Sequence, residues 1–438
     1  MSITAFAAAL FLALAFGVNG CSSLAADPPV GAGDLALIEA AMRQVGKSYV
    51  VPVEPDKLVS GALKGMLSKL DPHSDYMTER EYRELMATTS GQFGGVGIEI
   101  SVEHGVPQVI AAIEGTPAAV AGIEPGDRIV RADGQAMLGM DINQVVRRLR
   151  GAPGTRVMLT IARANRAAFE LPITRAVIRV DSVKTALKPG HIGYVRISTF
   201  DENTATELRT GLARLRREAG GRLAGFVLDL RNDAGGLLDA AIVVSGDFLD
   251  SGTVVTTRGR EADQSRGYEA PPNGDLIRGT PMVVLINGAS ASASEIVAGA
   301  LQDNRRATII GTRSFGKGSV QSIIPLNGRG ALRITTALYF TPSGNSIQGR
   351  GITPDRVVAL PKDQQVANAL ITYESDLFGA LKVNEPLAPK GVPVPPAHPQ
   401  PIAGETDRPI NPKILGTAQD AQLNAALAFL GSHRAQAR

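Results

Sequence analysis

The sequence predicts a multidomain protein in which a helical N-terminal region and a small β-rich module precede an α/β domain with a largely parallel sheet. Three observations carry that prediction. Apolar residues recur at helical spacing between Leu35 and Ala87. Short strands separated by turn signals fill Gly91 to Ile178. Beyond Asp181, strands alternate with helices. At 438 residues the chain has room for two or three such units.

The first 25 residues read as a targeting segment. The run from Ile3 to Val18 is apolar but shorter than the roughly 20 residues a spanning helix needs. It has the length of a signal-peptide core, although no Lys or Arg precedes it. Two processing sites compete. Ser23-Leu24-Ala25 ends in small residues, while Val18-Asn19-Gly20-Cys21 resembles a bacterial lipobox and places the only cysteine where a lipid would be attached.

Residues 26–90 form the helical region. Leu35, Ile38, Ala41, Met42 and Val45 make one apolar face, and Leu58, Ala62, Leu63, Met66, Leu67 and Leu70 make a second. Asp71-Pro72-His73 breaks the run. Thr78 with Glu81 three residues on is a capping box opening a third helix. These faces suit a core or a dimer surface.

Residues 91–178 change character. Gly94-Gly95-Val96-Gly97 precedes the alternating strand Ile98 to Val102. Turns at Pro125-Gly126-Asp127 and Asp133-Gly134 separate further short strands, and Asp141 caps a helix through Arg150. The module resembles a PDZ domain over its whole length. That resemblance implies a peptide C-terminus held by strand addition along Ile98, its carboxylate on the N–H groups of Gly94, Gly95, Val96 and Gly97, and a groove walled by Val145, Val146 and Leu149.

Residues 179–360 supply the α/β pattern. Gly225 to Leu230 and Pro281 to Ile286 are buried apolar strands, each running into a loop of small residues and then a helix. Ligands bind at the carboxyl ends of strands in open α/β sheets. Ser292 lies at such an end and opens a helix, where free backbone N–H groups can hold an oxyanion. Ser292-Ala293-Ser294-Glu295 is equally a capping box. The balance shifts at Phe315-Gly316-Lys317-Gly318-Ser319-Val320-Gln321, where a lysine stands between two glycines. If this stretch is extended, Lys317 and Gln321 share a face. A buried lysine can act as base, and a glutamine can orient its amine without adding charge. The rest of the chain, 361–438, is read as a loose proline-rich tail closed by a short helix at Gln422 to Leu430.

Ser-Ala-Ser-Ala-Ser-Glu-Ile, Phe-Gly-Lys-Gly-Ser-Val-Gln and Leu-Tyr-Phe-Thr-Pro-Ser-Gly together resemble the C-terminal processing (tail-specific) peptidases, from about Leu35 to Leu360. The resemblance implies a crotonase- or Clp-protease-like core, a serine endopeptidase activity without cofactor, and a Ser292–Lys317 dyad assisted by Gln321. It assigns the oxyanion donors to Ala293 and Gly236. It also implies envelope substrates with apolar C-termini, a lipoprotein adaptor, a homo-oligomer and a periplasmic location. One stretch departs. The family's Arg-Asn-Asn-Pro-Gly-Gly reads Arg231-Asn232-Asp233-Ala234-Gly235-Gly236 here. The lost proline and the added charge are expected to weaken the oxyanion turn.

Composition narrows the alternatives. Lys plus Arg total 45 against 42 Asp plus Glu, and Trp is absent, so nothing favours nucleic acid. His73, His104, His191, His398 and His433 are scattered, and no metal-ligand spacing occurs. A catalytically inactive PDZ scaffold and an acyl-CoA enzyme on the same fold are the competing readings. If Cys21 carries a lipid, the mature protein partitions into detergent and Cys21→Ser releases it. A soluble wild-type protein beginning at Ala26 would contradict this.

Overall fold

The computed structural model describes residues 31–436 apart from 104, 165, 180, 261–264, 367–370 and 383–407. Cys21 and the lipobox therefore lie outside the described residues. The chain divides into two units, residues 1–62 and 63–438. In the first, the helix Ala32–Ser48 buries none of its side chains. A second helix, Pro55–Leu67, starts in this unit and ends in the next.

The centre of the second unit is a six-stranded sheet in the order Val183–Lys188, Ile192–Ile197, Gly225–Asp229, Met282–Ile286, Thr308–Gly311, Arg356–Val357. The first pair is antiparallel and the others are parallel. Every residue of Gly225–Asp229 and Met282–Ile286 is buried. Both faces of these strands are covered, which is why they read as continuous apolar runs. Period-two alternation divides them. Phe226, Leu228, Val284 and Ile286 pack with the helices Thr204–Glu218, Leu238–Gly246 and Ala293–Asp303. Val227, Val283 and Leu285 pack with Leu423, Ala426 and Leu430 of the C-terminal helix Ala421–Gln436.

A second sheet is built on the long strand Ala331–Phe340, which pairs with Asp75–Met77, Thr253–Gly259 and Ser319–Pro325. The β-rich module has its own sheet and its own core around Ile129, Leu159 and Ile161. Its helix Ile142–Leu149 is capped reciprocally by Asp141 and Gln144, both bonds at 2.9 Å.

Two expectations need correction. Lys317 is not on a strand: pairing begins at Ser319, and the register shifts between Val320 and Gln321. Strand parity therefore does not relate Lys317 to Gln321. The chain near Pro412 is not loose either. Ile410 is buried, and its carbonyl accepts the Asn232 side-chain amide at 2.7 Å.

A buried charge network holds this last segment. The Arg231 guanidinium bonds Asp229 and Asp420, each at 2.6 Å, and Gln422 at 3.0 Å. All three charged side chains are fully buried. Asp420→Ala strands a buried guanidinium with half its compensation, so it should destabilise the protein by about 3–5 kcal/mol in denaturant unfolding. A loss below about 1 kcal/mol would show that the C-terminal helix is not held this way.

Candidate active site

Ser292 stands between the strand Met282–Ile286 and the helix Ala293–Asp303. Its backbone is strained, with φ 56° and ψ −112°, a region that residues with a Cβ rarely adopt. Two neighbours enforce it. The Ser292 N–H donates to Glu295 Oε2 at 2.8 Å. The Gly235 backbone presses against the serine so closely that a Cβ on Gly235 would lie 2.9 Å from Ser292 Cβ and 2.8 Å from Ala293 N.

The capping box is thus only half formed. Glu295 caps the Ser292 N–H, but the Glu295 N–H bonds the Ser292 backbone carbonyl at 2.9 Å. The serine hydroxyl makes no cap. Its side-chain partner is the phenol of buried Tyr339, whose pKa is raised by burial.

Glu295 does more than cap. Its buried carboxylate also accepts Ser314 Oγ at 2.5 Å, Gly316 N–H at 2.6 Å and Lys317 N–H at 2.9 Å. Ser292 and Lys317 thus donate to the same oxygen, Oε2. Burial pushes the Glu295 carboxyl up to about 7, against four donors that favour the ionised form. The sequence showed Glu295 only as a cap residue. Its reach to the lysine loop is a long-range contact without a local signal.

The lysine loop is fixed from its other side as well. Gly318 passes so close to residue 348 that a Cβ would stand 2.2 Å from Gln348 N, which is why no side chain is tolerated there. Burial, reinforced by the Arg333 charge, holds the Lys317 amine below its ordinary range, while Glu374, Glu295 and Asp71 pull the other way. Gln321 donates its amide nitrogen to Ser319 Oγ at 2.9 Å and Thr335 Oγ1 at 3.1 Å. Those bonds fix the carboxamide and leave its oxygen without a protein donor among the described residues.

At the turn after Asp229, Gly235 N–H is engaged by Asp233 Oδ1 at 2.8 Å. The N–H groups of Gly236 and Ala293 have no acceptor among the described residues. Gly236 has φ 148° and lies against the Phe200 carbonyl, so a Cβ there would sit 2.0 Å from that oxygen. Asp233 does not behave as expected from the sequence. It is fully buried, and it shapes the turn through the Gly235 N–H. Burial raises its carboxyl to about 7, so the charge near the site is partial at neutral pH. The turn is therefore formed without the proline.

In the β-rich module, the Val96 carbonyl accepts Ala118 N–H at 2.9 Å and the Gly97 carbonyl accepts Ile113 N–H at 3.0 Å. The N–H groups of Val96 and Gly97 have no acceptor among the described residues. Gly94 and Gly95 instead pair with Val177 and Ala176 in a two-stranded ribbon. Ile98 begins the edge strand of the module's sheet. Val145 is completely buried in the module's core, with Leu149 nearly so, and Val146 is partly exposed. The expected groove wall thus reduces to Val146. Val145 and Leu149, four residues apart on one helix face, belong to the module's core. Among the described residues no group of three or more His, Cys, Asp or Glu could hold a metal ion.

Comparison with known proteins agrees with this architecture. The profile of Peptidase family S41 matches residues 191–358, that of the PDZ domain residues 108–163, and that of the activating protease CtpB N-terminal domain residues 22–81. A carboxy-terminal-processing protease of Bartonella bacilliformis is 47% identical over 77% of this chain and 78% of its own. The carboxy-terminal processing protease CtpA of Bacillus subtilis is 33% identical over 80% and 74%. The solved photosystem II D1 C-terminal processing protease is 30% identical over 75% of this chain and 94% of that chain, with a TM-score of 0.45. The chain accordingly belongs to the carboxy-terminal processing proteases, serine-type peptidases of family S41 that carry a PDZ domain.

Proposed function

We propose that this protein is an endopeptidase that takes apolar C-termini of envelope proteins on its PDZ domain and cleaves them with Ser292 as nucleophile and Lys317 as general base. The observation that carries the reading is the shared acceptor: Glu295 Oε2 holds the backbones of both residues. The neutral Lys317 amine takes the Ser292 hydroxyl proton as Oγ adds to the scissile carbonyl carbon. The oxyanion forms beside the free N–H groups of Gly236 and Ala293, fixed donors that need no rearrangement. The lysine then returns the proton to the departing amine, and water releases the acyl group by the same base. Gln321 orients the amine through its carboxamide oxygen.

Substrate recognition follows from the module. The Val96 and Gly97 N–H groups receive the terminal carboxylate, the edge strand Ile98–Glu103 adds the peptide, and Val146 meets its last apolar side chain. A location in the bacterial envelope, with Cys21 lipidated, completes the proposal. A lipoprotein adaptor and self-association belong with it as features of the family.

Four outcomes test the reading. Lys317→Arg should abolish cleavage of labelled casein with the fold intact, because guanidinium keeps its proton at any working pH. Turnover by that variant would refute the base. Activity in the wild type should rise with pH as Lys317 deprotonates, with a midpoint below the usual value of about 10.4. A purely histidine-like step near about 6.5 would contradict the assignment. For the turn, Asp233→Asn keeps the acceptor for Gly235 N–H and should leave kcat within about threefold, whereas Asp233→Ala should lower it about tenfold by loosening the oxyanion donors. Equal kcat in both would remove Asp233 from the account. For the PDZ domain, a peptide ending in an apolar residue should bind at least about tenfold more weakly once its C-terminus is amidated. Equal anisotropy titrations would exclude carboxylate capture.

A further inference from the structure

Glu374 lies beyond the segment matched by the peptidase profile, in a short turn, Glu374–Asp376, where the sequence pattern fades. It is nevertheless fully buried, and both carboxylate oxygens are engaged. Oε1 accepts the Gln348 side-chain amide at 2.8 Å, and Oε2 meets His73 Nε2 at 2.8 Å. Gln348 Oε1 in turn accepts Gly318 N–H at 2.9 Å. The Glu374 N–H donates to the Phe315 carbonyl at 3.2 Å. The turn therefore grips the lysine loop on both sides of Lys317.

The other end of the contact is the Asp71-Pro72-His73 break. Asp71 Oδ1 accepts the His73 and Ser74 N–H groups, both at 2.8 Å, and Thr335 Oγ1 at 3.2 Å. Thr335 Oγ1 is also an acceptor for the Gln321 amide. Arg333 Nε donates to the His73 carbonyl at 2.9 Å. Segments from residues 71–74, 315–321, 333–335, 348 and 374 thus converge on one lysine.

We infer that Glu374 is a positioning residue for Lys317: through Gln348 and Phe315 it fixes the backbone on either side of the lysine. The inference rests on the reading of Lys317 as general base. The charged and titratable groups around that amine are Arg333 on its strand, Glu295 on the serine helix, Asp71 and His73 on the N-terminal turn, and Glu374. Arg333 favours the neutral amine, and Glu374 favours the protonated one. Opposite signs make the idea testable.

The experiment measures the rate at which a fluorophosphonate probe labels Ser292, and the rate of labelled-casein cleavage, from about pH 5 to 10 in the full chain. Glu374→Gln keeps an acceptor for Gln348 but removes the charge, so its acid limb should move to lower pH by on the order of half a unit or more. Arg333→Gln should move the limb the other way. Glu374→Asp keeps the charge and shortens the reach, so it should lower the plateau and leave the limb in place. Should Glu374→Gln fail to fold, Arg333→Gln and Glu374→Asp carry the test. In Glu374→Gln and Arg333→Gln, profiles that differ from wild type only by a constant factor, or limbs that move in the same direction, would overturn the inference. Lys317→Ala separates the two claims: wild-type labelling there would defeat the base reading itself, whereas loss of labelling there with no limb shift at Glu374 would defeat only the positioning role.

Discussion

One buried carboxylate organises the site. Glu295 gathers the backbone N–H groups of Ser292, Gly316 and Lys317 and the hydroxyl of Ser314. Removing that acceptor would leave buried donors unsatisfied, each at a cost of about 1–3 kcal/mol. The helix that begins after Ser292 and the loop that carries Lys317 follow the paired strands Met282–Ile286 and Thr308–Gly311, and the Phe315 N–H donates to the Ser290 carbonyl at 3.0 Å. Beyond those ties, the Glu295 side chain bonds both Ser292 and Lys317. The strained Ser292 backbone depends on it too, since the 2.8 Å bond to its N–H opposes relaxation.

Around that centre the fold supplies rigid supports. Fully buried parallel strands deliver the Asp233–Gly236 turn and the Ser292 loop to the same carboxyl end of the sheet, where Gly235 and Ser292 meet. The Arg231–Asp229–Asp420 network ties the base of that turn to the C-terminal helix. Asn232 adds a second tie, exchanging bonds with Asn287 and reaching the Ile410 carbonyl. The tail thus packs behind the oxyanion turn, and the Glu374 turn packs behind the lysine loop.

Local pattern in the sequence was enough to read the elements. The five-residue runs at Gly225–Asp229 and Met282–Ile286 announced buried strands, and Asp141 announced a helix start. Ser292, Lys317 and Gly236 stood out in the sequence because small residues and glycines mark places where backbone passes close to backbone. What stayed hidden was long-range. Lys317 and Gln321 looked related by strand parity, yet the strand starts later and a bulge intervenes; Gln321 is held by Thr335 and Ser319, and Lys317 by Glu295. Asp233 looked like a misplaced charge, because a sequence cannot show that a carboxylate folds back on the N–H two residues ahead. Glu374 and His73, 301 positions apart, had no pattern at all.

The most direct test concerns Glu295→Gln. A glutamine has nearly the same shape but offers one accepting oxygen where Glu295 offers two, so two of the four donors lose their partner. The account predicts that fluorophosphonate labelling of Ser292 falls by at least about 100-fold, while denaturant unfolding still reports a cooperative fold. Labelling at the wild-type rate would contradict the claim that this carboxylate holds Ser292 and the lysine loop together.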